Sequence, residues 1–393
     1  FQCSHVCLSS GEEEERRILL CLRSTYGFGL EFLPHLLPQV NKAHGSLFRY
    51  HRMKRDSTNT ATNLLPGTSH KAHHTIPYIH NKPFGIYPRF YATPLDIAPK
   101  MQQGVFEPLS TVVCASATLK SNNSFNYWNH RTGAAYVPPE RILCREFESP
   151  FPYHQNLLLA IPNDIPMPDS RDFQPAVEEA VIELIEAAKG RIHYCASKGA
   201  IGMLTKGRTL ALFTSYESLR SACEHAREVL APKGIMVLRQ GEDDRFRLLE
   251  TFKSVSSSVL FATDSFWEGV DVPGESLSQV IIAKLPFSVP TDPIFAARSE
   301  ALLKRGGNPF MDLSLPEAVI KFRQGFGRLM RKSTDRGVVT VLDRRIIEKR
   351  YGSIFLNSIP KTKFCHSSLQ EVLEAVEKTT ALKKEKEINE HER

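Results

Sequence analysis

No apolar run in the 393 residues reaches the roughly 18 that a membrane-spanning helix needs, and Glu12 to Glu15 with Arg16 stand where a secretory signal would place an apolar core. No C-x-x-C pair occurs among the eight cysteines, at 3, 7, 21, 114, 144, 195, 223 and 365, so the thiols read as reduced. The expectation from these absences is a soluble, cytoplasmic protein. Neither kind of charge dominates: the formal net charge is +7 and the pI near 8.9, which suits a nucleic-acid or nucleotide partner without requiring one. What is present is ordinary globular material, 41% hydrophobic and 24% charged, enough for about two domains.

Regular pattern is scarce over residues 1–109, where "KRDSTNTATNLLPGTSHKAHHTIPYIHNKPFG" is turn-forming and polar. His70, His73, His74 and His80 lie there with no Cys, Asp or Glu cluster to complete a metal site, and read as a solvated loop. Cys3, Cys7 and Cys21 are three thiols, one short of the four that usually hold an iron–sulfur cluster or zinc. From residue 110 the pattern changes, beginning with "STVVCASATL". Beyond 150, Val/Ile/Leu strands at 156–161, 209–216, 234–240, 258–265, 278–287 and 337–343 alternate with amphipathic helices at 175–188, 217–231, 244–255 and 317–332. That alternation predicts an α/β fold, a mostly parallel sheet with helices on both faces, with ligands expected at the carboxyl edge of its strands. The closing "KKEKEINEHER" reads as a charge-balanced helical or frayed tail.

"HYCASKGAIGMLTKGR" at 193–208 holds Tyr194 and Lys198 at i and i+4, a spacing that lets an ammonium lower a phenol's pKa, and its wording resembles the active-site helix of short-chain dehydrogenases. No G-x-G-x-x-G turn precedes it to receive a dinucleotide. "KGR" occurs at 189–191 and again at 206–208, and without residues 192–208 the text reads as a compact helix, glycine stop and strand. The segment therefore reads as a surface-loop insertion, and Tyr194 with Lys198 as an exposed pair.

Two stretches carry chemistry. In "PEAVIKFRQGFGRLMRK", Val319, Phe322, Phe326, Leu329 and Met330 fall on one helical stripe, and Lys321, Gln324, Arg328 and Arg331 on the opposite one. Gly325 and Gly327 inside such a helix each cost about 1 kcal/mol relative to Ala, so a close approach of backbone or ligand is expected. Arginines at i and i+3 set planar forks side by side, suited to phosphate oxygens. In "FATDSFWEGVDVPG", a buried strand runs into Thr263 and Asp264 and then a loop with Trp267, Glu268, Gly269 and Asp271; by itself this could be a glycosidase-like pair, a metal site or loop capping.

With Ser116-Ala117-Thr118, with Thr214-Ser215 in "LFTSY" and with "LPFSVPTDP", these stretches occur in an order that resembles the C-terminal half of the DinG-type, XPD-like helicases of superfamily 2, over residues 85–365 apart from the insertion. The resemblance implies a RecA-like second motor domain. Residues 1–109 would be a remnant of the accessory and first motor region and 110–149 the end of the first RecA-like domain and linker. The second domain would span 150–365, and a helix and charged tail 366–393. It implies Arg328 and Arg331 as arginine fingers on ATP, Gln324 as their sensing partner, and Ser116, Ala117 and Thr118 as the coupling motif. Thr214, Ser215 and Thr263 would contact single-stranded DNA, and Asp264, Glu268, Gly269 and Asp271 would tie nucleotide state to the strand. No G-x-x-x-x-G-K-[ST] and no Asp-Glu-x-His occur. ATP and Mg²⁺ would therefore be gripped by a missing N-terminal motor half, with no metal ligand and no iron–sulfur cluster assigned to this chain. The full-length protein would be a monomer and this portion inactive alone. A non-catalytic nucleic-acid-binding protein and the dehydrogenase are the rival readings.

Overall fold

The computed structural model describes residues 4–9, 18–20, 75–80, 89–189, 208–255, 257–263, 266, 277–330 and 332–391. In its amino-terminal part β1 (Ser4–Ser9), β2 (Ile18–Leu20), β5 (Thr111–Ser116) and β6 (Ile142–Glu146) form a four-stranded sheet in the order β2-β5-β1-β6, and β3 (Thr75–His80) pairs with β4 (Arg89–Pro94). β1 runs antiparallel to β5 and β6, and β2 parallel to β5, so the first hundred residues contribute strands that their composition did not signal. Met101, Val105, Phe106, Val112, Leu119 and Trp128 fill a small core beneath β5. Helix Asn126–Thr132 ends there at Gly133, whose φ of +84° is left-handed and whose absent Cβ would lie 2.4 Å from the Ala98 carbonyl oxygen. Gly133→Ala is expected to destabilise this part by roughly 1–3 kcal/mol from backbone strain alone, with the clash added; an unshifted urea-unfolding curve would contradict this packing.

The larger unit is a seven-stranded sheet, β13-β7-β12-β11-β8-β10-β9, parallel at every pairing. Its strands are β7 (Leu157–Pro162), β8 (Arg208–Leu212), β9 (Met236–Arg239), β10 (Ser258–Ala262), β11 (Leu277–Ile282), β12 (Gly337–Val341) and β13 (Lys363–Ser367). β7, β8, β10, β11 and β12 are buried at every residue, because helices cover both faces and neither face may be polar. Alternate strand residues point to opposite cores. Leu158, Ala160, Ala211, Phe261 and Ile281 meet helices Phe173–Lys189, Tyr216–Leu230 and Leu369–His391. Leu157, Leu159, Leu210, Leu260 and Val280 meet helices Arg245–Ser254, Leu315–Phe326 and Gly352–Asn357. Residue 365 lies within β13, and Val372 and Val376 of the following helix are fully buried on the same core.

From β8 the chain moves toward β9, while from β11 it moves the other way toward β12. The carboxyl ends of these neighbouring strands therefore part at a topological switch point, where such sheets open a crevice. Among the described residues no helix is long and apolar enough to cross a membrane.

Candidate functional site

At the carboxyl ends, Phe213 and Thr214 follow β8, Gln240 follows β9, Thr263 follows β10, Ala283 and Lys284 follow β11, and Asp343 lies two residues beyond β12. The crevice at the switch point is a pocket of about 210 Å³ that Thr214, Ser218, Gln174, Ser170 and Lys284 help to line. The Lys284 ammonium sits 5.8 Å from the centroid of the Phe173 ring and makes no ion pair with any described residue. Burial pulls its pKa below the usual lysine value, with Arg345 adding to the effect and Asp343 and Asp169 opposing it. A pocket with a desolvated cation and hydroxyl groups suits an anion.

Of the residues read as DNA contacts, Thr214 lines this pocket. Ser215 instead caps the next helix, its hydroxyl accepting from the Ser218 N–H at 3.2 Å. The Thr263 N–H and hydroxyl both donate to Gln240 Oε1, at 2.7 and 3.2 Å. Gln240, which no sequence pattern singled out, also donates from Nε2 to the Tyr216 phenol oxygen at 2.6 Å.

The second group lies at the opposite end of the sheet. Helix Leu315–Phe326 stops at Gly327, so the predicted helical stripe does not continue to residue 332. Val319, Phe322 and Phe326 are buried by the helix face as expected, whereas Leu329 and Met330 are buried by the turn that follows it. A Cβ on Gly337, the first residue of β12, would lie 2.9 Å from a Leu329 methyl, and Asn156, just before β7, donates to the Ser333 carbonyl at 2.8 Å. Arg328 and the turn around it are therefore at the amino ends of the strands, not the carboxyl edge where ligands were expected. The opposite stripe is not a solvated basic face either: Lys321 is 8% and Arg328 9% exposed.

Beside this end stands the Ser116-Ala117-Thr118 loop at the close of β5. Its Thr118 N–H donates to Ser116 Oγ at 3.3 Å. Arg323, one residue before Gln324, donates from its guanidinium to the Ala117 carbonyl at 2.9 Å and to the Lys120 carbonyl. Tyr127 of the same part donates to Glu317 at 3.2 Å, and burial followed by that carboxylate raises its pKa. The two parts of the chain thus meet through Arg323 and Glu317, residues missed in sequence because their partners lie some 200 positions away. A cavity of about 400 Å³ at this junction is lined by Lys120, Arg323, Glu146 and Glu148 among others. Lys120 is paired with Glu146 and Arg323 is spent on carbonyls, so it does not fit a triphosphate. Arg331, Asp264, Glu268, Gly269, Asp271, Tyr194 and Lys198 lie outside the described residues.

Residues 200–362, which include five of the seven strands of this sheet, match the family described as the helicase C-terminal domain. The chain is homologous to the C-terminal part of DinG- and YoaA-type helicases. It is 37% identical over 283 residues to the ATP-dependent DNA helicase YoaA of Haemophilus influenzae, covering 72% of this chain and 40% of that protein. It is 39% identical over 269 residues to the ATP-dependent helicase DinG of Mycobacterium tuberculosis, covering 68% and 37%. The chain thus spans well under half the length of these relatives. An apo XPD structure aligns over 70% of this chain and 52% of its own, at 14% identity and a TM-score of 0.45.

Proposed function

We propose that the chain is the C-terminal motor portion of an ATP-dependent DNA helicase and that it binds single-stranded DNA. The observation that carries this is the division of its polar groups between opposite ends of one rigid parallel sheet. Arg323, one residue before Gln324, reaches the Ser116–Thr118 loop at the end of the sheet where the Arg328 turn also lies, and Thr214, Thr263 and Lys284 stand at the far edge. A motor needs such a division, since the nucleotide and the strand must occupy different places and move one another.

In this reading Thr214 and Lys284 contact phosphates of the strand, Thr263 belongs to the same contact surface with its two donors held by Gln240, and Ser215 holds the loop by capping. Asp264, Glu268, Gly269 and Asp271 continue from Thr263 as the relay. Gln324, Arg328 and Arg331 face a nucleotide cleft whose other wall belongs to an N-terminal motor half, with Ser116, Ala117 and Thr118 coupling the two through Arg323. Bound ATP with Mg²⁺ supplies the phosphoryl group transferred to water; this chain's part is to sense it and neutralise its charge. Having no phosphate cradle of its own, the chain does not hydrolyse ATP alone, and with its motor half it works as a monomer.

Joined to the N-terminal motor half of a YoaA or DinG relative, the chain is expected to hydrolyse ATP in response to single-stranded DNA. Lys284→Ala should flatten the salt dependence of DNA binding by about one unit of slope. A folded fusion that binds DNA without any stimulated hydrolysis would instead support the non-catalytic binding protein. NAD(P)H fluorescence enhanced by the chain and lost in Tyr194→Phe would support the dehydrogenase.

A further inference from the structure

Two aromatic rings stand uncovered at the edge assigned above to DNA. Tyr216, which opens the helix after β8, is 58% exposed, and Phe246, in the first turn of the helix after β9, is 71% exposed. Tyr216 is not a loose surface ring. Gln240 Nε2 donates to its phenol oxygen at 2.6 Å, and Oε1 of the same amide accepts from the Thr263 N–H at 2.7 Å. The tip is pinned while the ring lies in solvent, so little rotational freedom remains to be lost when something flat settles on it.

The charges around it point to what that is. Arg227 pairs with Glu242 at 2.9 Å, Arg239 with Glu242 at 3.2 Å and Arg220 with Glu224 at 2.8 Å, while Asp243 stands 3.9 Å from Arg247. With these charges paired with one another, a strand crossing the edge is held through its phosphates mainly at Lys284, and it gains further from its bases, each of which has a face to stack.

We infer that Tyr216 is a base-stacking residue for unpaired DNA, with Gln240 as its positioning residue and Phe246 offering a second ring on the same edge. This rests on the single-stranded DNA reading above and adds the nucleobase to the groups recognised. Stacking is indifferent to sequence, which suits a strand that must slide. Because the Gln240 amide grips both Tyr216 and Thr263, a base seated on the ring is linked to the point where the chain enters residues 264–276.

The test measures fluorescence anisotropy of the whole chain with a labelled oligothymidylate and with an abasic oligonucleotide of the same length. The wild type should prefer the base-bearing strand. Tyr216→Ala should weaken that strand's binding roughly 5- to 150-fold and leave the abasic strand's unchanged. Tyr216→Phe, which keeps the ring and loses the tether, should retain most of the affinity, and Gln240→Ala should lie between. Circular dichroism melting checks that each variant folds. Equal binding of oligothymidylate by wild type and Tyr216→Ala overturns the inference, as does an equal loss on both strands, which would make Tyr216 a backbone contact. A wild-type chain that binds neither strand would overturn the DNA reading itself.

Discussion

Arg328→Ala is expected to lower the DNA-stimulated ATP hydrolysis of the chain, joined to an N-terminal motor half, by roughly 10³- to 10⁵-fold, the worth of an arginine finger. The charge that builds on the transferring phosphoryl group is met best by a cation already in place and poorly hydrated. Arg328 is 9% exposed, and its backbone is fixed by a hydrogen bond from its N–H to the Gly325 carbonyl at 3.2 Å and by the packing of Leu329 against Gly337. Arg328→Lys keeps the charge but not the planar fork and should recover only part of the rate. Affinity for single-stranded DNA should hardly move, since Thr214, Thr263 and Lys284 lie at the other end of the sheet. Wild-type hydrolysis by a folded Arg328→Ala protein would remove the finger role.

The strands were legible because a parallel sheet covered on both faces must write continuous apolar runs such as Leu157–Pro162, and the helices between them because each buries one face only. The end of helix Leu315–Phe326 was not legible. Leu329 and Met330 extend the apolar stripe by their spacing, yet they are buried by a turn that begins at Gly327, and a periodicity cannot distinguish the two. Gly327 was legible as an anomaly, but its meaning as a C-cap was not. Arg323 and Gln240 carried no local signal at all. Each is a polar residue whose importance lies in one distant partner, Ala117 for the first and Thr263 for the second, and that pairing exists only after the chain has folded. Ser215 shows the converse: its position beside Thr214 was readable as a DNA contact, while its hydroxyl is engaged in holding the helix start.

Asp343→Ala is expected to cost the fold about 3–5 kcal/mol, the loss typical of a buried charge pair deprived of one partner. Asp343 is fully buried beyond the carboxyl end of β12, where its Oδ2 accepts from the Leu285 N–H at 2.9 Å and from Arg345 Nη2 at 2.6 Å. Its Oδ1 accepts from the Arg345 N–H at 3.1 Å and from Nε at 2.9 Å. Burial is the largest influence on the Arg345 charge and works against it, but the hydrogen bond and the charge of Asp343, with Tyr351 and Asp169 adding to them, together outweigh it and hold the guanidinium's pKa above its usual value. Without the carboxylate that guanidinium would be left over the Phe287 ring without its directly bonded anion, and the Leu285 N–H would lose its acceptor. Leu285 adjoins Lys284, so the turn that aims the ammonium into the switch-point pocket should loosen as well, and DNA affinity should fall in parallel with stability. Asp343→Asn keeps an acceptor of the same shape without the charge and should fall between the two. Urea unfolding measures the first effect and anisotropy the second. An Asp343→Ala chain within about 1 kcal/mol of wild type would mean that Arg345 reaches water when its partner is gone, and that the carboxyl edge is softer than its hydrogen bonds imply.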